Sequence, residues 1–251
     1  LGRRRMRLWW LGLTALGLLG AATDTRRSGF HDMTPALQAM QRDDAQNPGQ
    51  LWVREGQALW QRAAPGNGKR CADCHAIDKL DGIAARYPAA EGAAGAITLA
   101  GRIDQCRSRH QQLPSQGSEG DEALALAAWL AHRSRGTPIA PDARLGAWQA
   151  RGEMLWRQRF GQLNLACAQC HDERAGQRLG GAPIPQGHAT GYPIYRLEWQ
   201  TLGSLERRLR GCLSGVRAEP FAPGADEWLA LEAYLMRRAA GIAHEGVAVR
   251  P

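Results

Sequence analysis

The chain is 251 residues long, 44% hydrophobic and 22% charged, which is enough apolar material for one large core or two modest ones. Its formal net charge is +8, yet Lys69 and Lys79 are its only lysines, and no lysine-rich stripe or aromatic–basic recognition motif accompanies the arginines. The pattern of charge, more than its amount, excludes a nucleic-acid-binding protein.

The first element in chain order reads as an export signal. Arg3, Arg4, Arg5 and Arg7 precede an apolar run from Leu8 to Ala22, which ends in the small residues Gly20, Ala21 and Ala22. A basic head, a short apolar middle and a small-residue end predict a secretory signal peptide over residues 1–22. The run is short for a helix retained across a bilayer, so the expectation is delivery to the periplasm with no stable membrane insertion. Cleavage removes four arginines and no acid, which lowers the net charge further. Residues 23–50 are polar and have no counterpart later in the chain. They are expected to form an N-terminal extension that wraps the body or meets a partner.

From residue 51 the sequence is written twice. Gly56-Gln57-Ala58-Leu59-Trp60 matches Gly152-Glu153-Met154-Leu155-Trp156, and the same interval then leads to Cys71-Ala72-Asp73-Cys74-His75 and to Cys167-Ala168-Gln169-Cys170-His171. Farther on, the run from Asp121 to Leu130 matches the run from Asp226 to Leu235, and a glycine follows each at the same distance, Gly136 and Gly241. Each copy reads helix, Cys-x-x-Cys-His, variable loop, helix. The first helix has its glycine, leucine and tryptophan at helical spacing. The last opens on two acids suited to the helix dipole, and its glycine is a candidate C-cap. Period-2 runs are few, so the fold class is mainly α: two tandem domains from an internal duplication, over residues 51–137 and 148–251. The linker, 138–147, carries Pro138 and Pro141 and is expected to be stiff and non-helical.

Six cysteines in an exported protein first suggest three disulfides. Their spacing argues otherwise. Cys-x-x-Cys-His is the attachment motif of haem c: the two thiols add to the haem vinyl groups and the histidine ligates iron. Cys71, Cys74 and His75 are assigned to one haem, and Cys167, Cys170 and His171 to another. A thioredoxin-like pair or half of a zinc site fits a single such motif, but not two at one register of a repeat.

The second axial ligand is more informative. An electron-transfer cytochrome c commonly uses methionine, but no methionine lies in either loop after a haem motif. Cysteines occupy those regions. Cys106 follows Arg102 by four residues, and Cys212 follows Arg208 by four. As thiolates they are candidate iron ligands that would lower the reduction potential, and a nearby arginine favours the ionised form. Three alternatives stand beside this reading: a Cys106–Cys212 disulfide, two buried free thiols, or ligation by His110 and His188. The segment around Cys212 is also rich in arginine (Arg207, Arg208, Arg210 and Arg217), a pattern fitted either to a solvated helix face or to an oxyanion pocket.

The chain resembles the SoxA family, the dihaem A subunits of the bacterial thiosulfate-oxidising system, along nearly all of residues 23–251. The resemblance rests on both haem motifs, on Cys106 and Cys212, and most specifically on the run from Arg208 to Pro220. It implies two cytochrome c domains, two covalent haem c groups and an L-cysteine S-thiosulfotransferase. Thiosulfate would be joined oxidatively to a cysteine of a sulfur-carrier protein, with two electrons leaving to a cytochrome c acceptor. The resemblance further implies a heterodimer with a smaller monohaem cytochrome c subunit. By the same resemblance Cys212 ligates the second haem iron and carries a catalytic persulfide, Arg208 and Arg217 bind substrate, and Cys106 is the distal ligand of the first haem. The alternative reading is a non-enzymatic dihaem electron carrier, its arginines forming a docking face.

Overall fold

The computed structural model describes residues 24–251. The expected signal peptide lies outside them. Among the described residues no helix is long and apolar enough to cross a membrane.

Two helix pairs organise the molecule. In the first half α2 (Gln50–Gln61) packs on α4 (Asp121–Arg133); in the second, α5 (Gly146–Arg157) packs on α8 (Asp226–Arg238). The repeated glycine makes both crossings possible. A Cβ built on Gly56 would lie 2.1 Å from the Ala125 carbonyl oxygen, and one on Gly152 would lie 2.0 Å from that of Ala230. Only glycine permits so close a backbone approach. The repeated tryptophan fills the space beside it: Trp60 stacks on Trp129 with centroids 4.9 Å apart, and Trp156 on Tyr234 at 5.9 Å. The acid pairs Asp121-Glu122 and Asp226-Glu227 open α4 and α8, as expected. The left-handed glycines Gly136 (φ +82°) and Gly241 (φ +83°) fall two residues beyond the caps, Ser134 and Ala239.

The remaining helices also repeat. Thr98 caps α3 (Leu99–Gln111) by accepting from the Gly101 N–H, and Ser204 caps α7 (Leu205–Gly215) by accepting from the Arg207 N–H. Each is preceded by a short antiparallel hairpin. In the first half β1 (Ala89–Glu91) pairs with β2 (Gly95–Ile97). After the second haem motif comes a two-residue ribbon, β3 (Arg178–Leu179) with β4 (Ala182–Pro183). Then β5 (Ile194–Arg196) pairs with β6 (Thr201–Gly203), and the C-terminal β7 (Val249–Arg250) joins β5 in parallel. The second motif itself forms a short helix, α6 (Cys167–His171), whereas the first is a 3-10 turn over Cys71–Asp73.

Each core borrows from the other half. Leu202 and Val247 join the cluster of Trp60, Leu126 and Trp129, while Ala85 and Ile139 join that of Trp156, Tyr234 and Leu235. The proline-rich linker takes part in this. It is non-helical from 137 to 142, but Ile139 is buried and bonds to the Ile242 carbonyl (2.9 Å), and Ala140 bonds to that of Ala85 (2.9 Å). The linker thus stitches the halves together instead of spacing them apart. The N-terminal segment wraps the body. Thr34 caps α1 (Pro35–Arg42), Arg27 bonds through its N–H to Gln186 (2.8 Å), and Asn47 donates to the Val247 carbonyl (3.1 Å).

Candidate active site

In the second half, a cavity of about 600 Å³ brings together side chains from distant parts of the chain. His171 comes from the end of α6, Cys212 and Arg208 from α7, Trp156 from α5, and Tyr192 and Arg196 from the β5 region. Two helical turns are not needed to relate Arg208 and Cys212: four residues apart on α7, they share one face.

His171 is partly buried and held in a defined tautomer. Its Nδ1 lies 2.7 Å from the Pro185 carbonyl oxygen. A carbonyl only accepts, so Nδ1 carries the hydrogen and Nε2 keeps a lone pair. Burial holds this imidazole below its ordinary pKa, which keeps it neutral, the form that ligates metal. Its ring lies 5.5 Å from that of Trp156, whose indole N–H donates to Asp172 (2.9 Å). Gly187, at φ +71°, passes so close that a Cβ there would meet Trp156 at 2.7 Å. The Cys167 thiol is pushed up to about 11, chiefly by burial and then by the neighbouring Cys212 sulfur. The Cys212 sulfur is thus a neighbour of Cys167, and Cys212 and His171 line the same cavity.

The first half repeats the arrangement in a more open form. Trp60 lies 5.9 Å from the ring of His75, which is exposed together with Cys74. Burial raises the Cys71 thiol; Arg107 opposes the shift and the Cys106 sulfur adds to it, which puts Cys71 and Cys106 in one neighbourhood. Arg102 is paired with Glu91 (3.0 Å). All six cysteines are free thiols in the structure.

A scan of family models matches the SoxA/TsdA cytochrome c domain twice, at residues 55–139 and 151–243. The chain belongs to this family. Among curated relatives, it is 36% identical to the L-cysteine S-thiosulfotransferase subunit SoxA of Rhodovulum sulfidophilum, over 90% of this chain and 81% of that one. It is 30% identical to the SoxA subunit of Paracoccus pantotrophus, over 90% and 80%. Its fold matches a chain in the crystal structure of SoxXA from P. pantotrophus with a TM-score of 0.85 and 30% identity, over 90% of this chain and 87% of that one. Two tandem cytochrome c domains, mainly α, are thus the architecture, and the family implies covalently bound haem c. The donor chemistry fits that group: paired thiols, a neutral histidine with Nε2 free and a facing sulfur, around an aromatic-lined space.

Arg217 and the alternative histidine ligands fall differently. Arg217 lies beyond the end of α7 in a left-handed conformation (φ +58°), exposed, and its carbonyl accepts from the Gln162 N–H (3.2 Å); it does not line the cavity. His188 does line it, but its Nδ1 donates to the Arg27 carbonyl (2.8 Å), and it shares the outer groove of His171, Asp172 and Gln186. His110 is exposed on α3. Met33 reaches the cavity from the N-terminal segment, which residue order alone did not foretell; its sulfur accepts from Arg250 (3.7 Å). Tyr192 and Arg196 were also missed. The signal was present: Tyr-Pro occurs in both copies, at Tyr87-Pro88 and Tyr192-Pro193, just before β1 and β5.

Proposed function

We propose that this protein is the A subunit of an L-cysteine S-thiosulfotransferase, with one haem c in each half and the reaction in the second. Among its supports is the naming of its relatives. The observation that carries the reading to particular residues is the shared cavity of His171, Cys212 and Arg208. Cys71, Cys74, Cys167 and Cys170 would hold haem c through thioethers, and His75, Cys106, His171 and Cys212 would ligate its iron. Haem c, when bound, supplies a centre that accepts electrons one at a time. Residues 51–137 and 148–251 are the two units.

The overall reaction joins thiosulfate (S₂O₃²⁻) to a carrier thiol (RSH), giving RS–SSO₃⁻, one proton and two electrons. The new bond is sulfur–sulfur; the thiol and thiosulfate sulfurs are oxidised, and two one-electron equivalents of a cytochrome c acceptor are reduced. Cys212 carries an extra sulfur that serves as nucleophile and leaving group in sulfur exchange. Arg208 binds the sulfonate oxygens and offsets the charge of the dianion beside an electron-rich sulfur. Arg217 is the weaker member of the substrate pair, since it does not line the cavity. The polypeptide pairs with a smaller monohaem cytochrome c subunit and works in the periplasm. The match to a SoxXA structure supports the pairing, and the basic-then-apolar N-terminus supports export.

The test is turnover of the haem-loaded complex with thiosulfate, a carrier thiol and oxidised cytochrome c. Reduction of cytochrome c that requires both thiosulfate and thiol, and is lost in Cys212→Ala with both haems still attached, is the expected result. Electron exchange with no thiosulfate-dependent product would leave a plain electron carrier.

A further inference from the structure

The two halves correspond element by element, and one residue departs from that correspondence in charge. The third residue of β1 is Glu91, and the third residue of β5 is Arg196. Each strand runs through a hairpin into the helix that carries the arginine four residues before its cysteine, Arg102 on α3 or Arg208 on α7. In the first half these positions make an ion pair, Arg102 Nη1 to Glu91 Oε1 at 3.0 Å. In the second half both positions are arginine. The charge that balances the helix arginine has been reversed.

The surroundings of Arg196 make that reversal costly. Its side chain is only 13% exposed and lines the same cavity as Arg208 and Cys212. Its Nε is buried with no hydrogen-bond partner. Burial, and then the like charge of Arg208, hold its pKa below the usual arginine value. Its carboxylate partner, Glu198 Oε2 at 2.6 Å, belongs to a side chain that is 65% exposed, so the pairing is weakly held. The other arginines at the cavity are engaged elsewhere. Arg250 is clamped by both oxygens of Glu245 (2.8 and 2.7 Å), and Arg178 is turned to the Gly181 carbonyl. Two guanidinium groups with an unused donor between strand and helix form an anion site that wants more than one negative charge.

We propose that Arg196 is a second substrate-binding residue, which together with Arg208 holds the sulfonate end of thiosulfate and selects for a dianion. The proposal rests on the thiosulfotransferase reading of the cavity. The exposed Glu198 gives way as the dianion enters, and the donors of Arg196 turn from carboxylate to sulfonate. In the first half, Glu91 fills the corresponding place and makes that site unfit for an anion.

The experiment measures thiosulfate binding to the haem-loaded protein by calorimetry, without carrier or acceptor, alongside steady-state kinetics. Arg196→Glu restores the charge found in the first half; Arg196→Lys keeps the cation. Arg196→Glu is expected to raise Kd and KM at least about tenfold, the size of one charge-assisted hydrogen bond, with a smaller effect on kcat. Arg196→Lys is expected to recover most of the loss. Sulfate should compete in the wild type and lose potency in Arg196→Glu, while the monoanion nitrate should shift less. Wild-type Kd and KM in Arg196→Glu, or equal shifts for sulfate and nitrate, would overturn the proposal. Binding that depends on Arg196 in a protein that never turns thiosulfate over would retain the anion site and remove the thiosulfotransferase reading instead.

Discussion

Arg208 stands one helical turn before Cys212, on the wall of the cavity that His171 also lines. Arg208→Ala is expected to raise the thiosulfate KM by about tenfold or more, since it removes a charge-assisted contact with the substrate. Both haems should remain attached. Wild-type kinetics in that variant would remove Arg208 from the site. A second residue-scale expectation concerns Glu232 on α8, which faces a cavity of about 280 Å³ between the halves together with Glu119, Glu206 and His244. Burial, then the charges of Glu119 and Glu206, push the Glu232 carboxyl up to about 8. The folded state therefore keeps a proton that the unfolded chain loses near pH 4.5, and the stability this brings declines as pH rises toward 8. His244, held down to about 4, is neutral in the fold across that range and is common to both proteins compared. The melting temperature of Glu232→Gln relative to wild type should rise between pH 5 and pH 8.5. A gap that stays constant with pH would show that Glu232 is ionised throughout.

At the scale of elements, the two glycine-mediated helix crossings are the parts of the fold most exposed to a single change. Gly152→Ala places a methyl group on the Ala230 carbonyl of α8. The helices must separate, at a cost of about 2 kcal/mol, or roughly 5 °C in melting temperature. An unchanged melting curve would mean that the crossing relaxes freely. The helices that make these crossings were legible in the sequence, because glycine and tryptophan at helical spacing recur in both copies; that the glycines admit the partner backbone was not. The haem motifs were legible for the same reason: their chemistry is local, complete within five residues. The hairpins were not. β1 to β2 and β5 to β6 are three residues per strand, too short for a period-2 pattern to emerge. With them went Glu91 and Arg196, whose meaning depends on what the hairpin turns them toward.

The whole molecule is less divisible than its repeat suggests. Ile139 from the linker, Ala85 from the first half and Val247 from the C-terminal segment are each buried in the opposite core or in the seam between halves. Long-range stitching of this kind leaves no periodic trace, so the prolines marked a stiff, non-helical linker but not the seam that packing makes of it. The N-terminal segment follows the same rule: its polar composition hid the fact that Met33 and Gln41 reach β7 and the second cavity. The two halves differ in electrostatics more than in fold. One arginine is neutralised in the first, and two face a sulfur in the second. That asymmetry supports the proposal that the sulfur chemistry belongs to the second half. The most direct test is low-temperature electron paramagnetic resonance of the oxidised, haem-loaded protein, read together with its intact mass. The account predicts low-spin signals of histidine–thiolate type at both irons, and a mass of two haems plus one extra sulfur atom. Histidine–methionine or bis-histidine signals with no added sulfur would contradict it, because Cys212 would then be neither a ligand nor the sulfur-bearing residue.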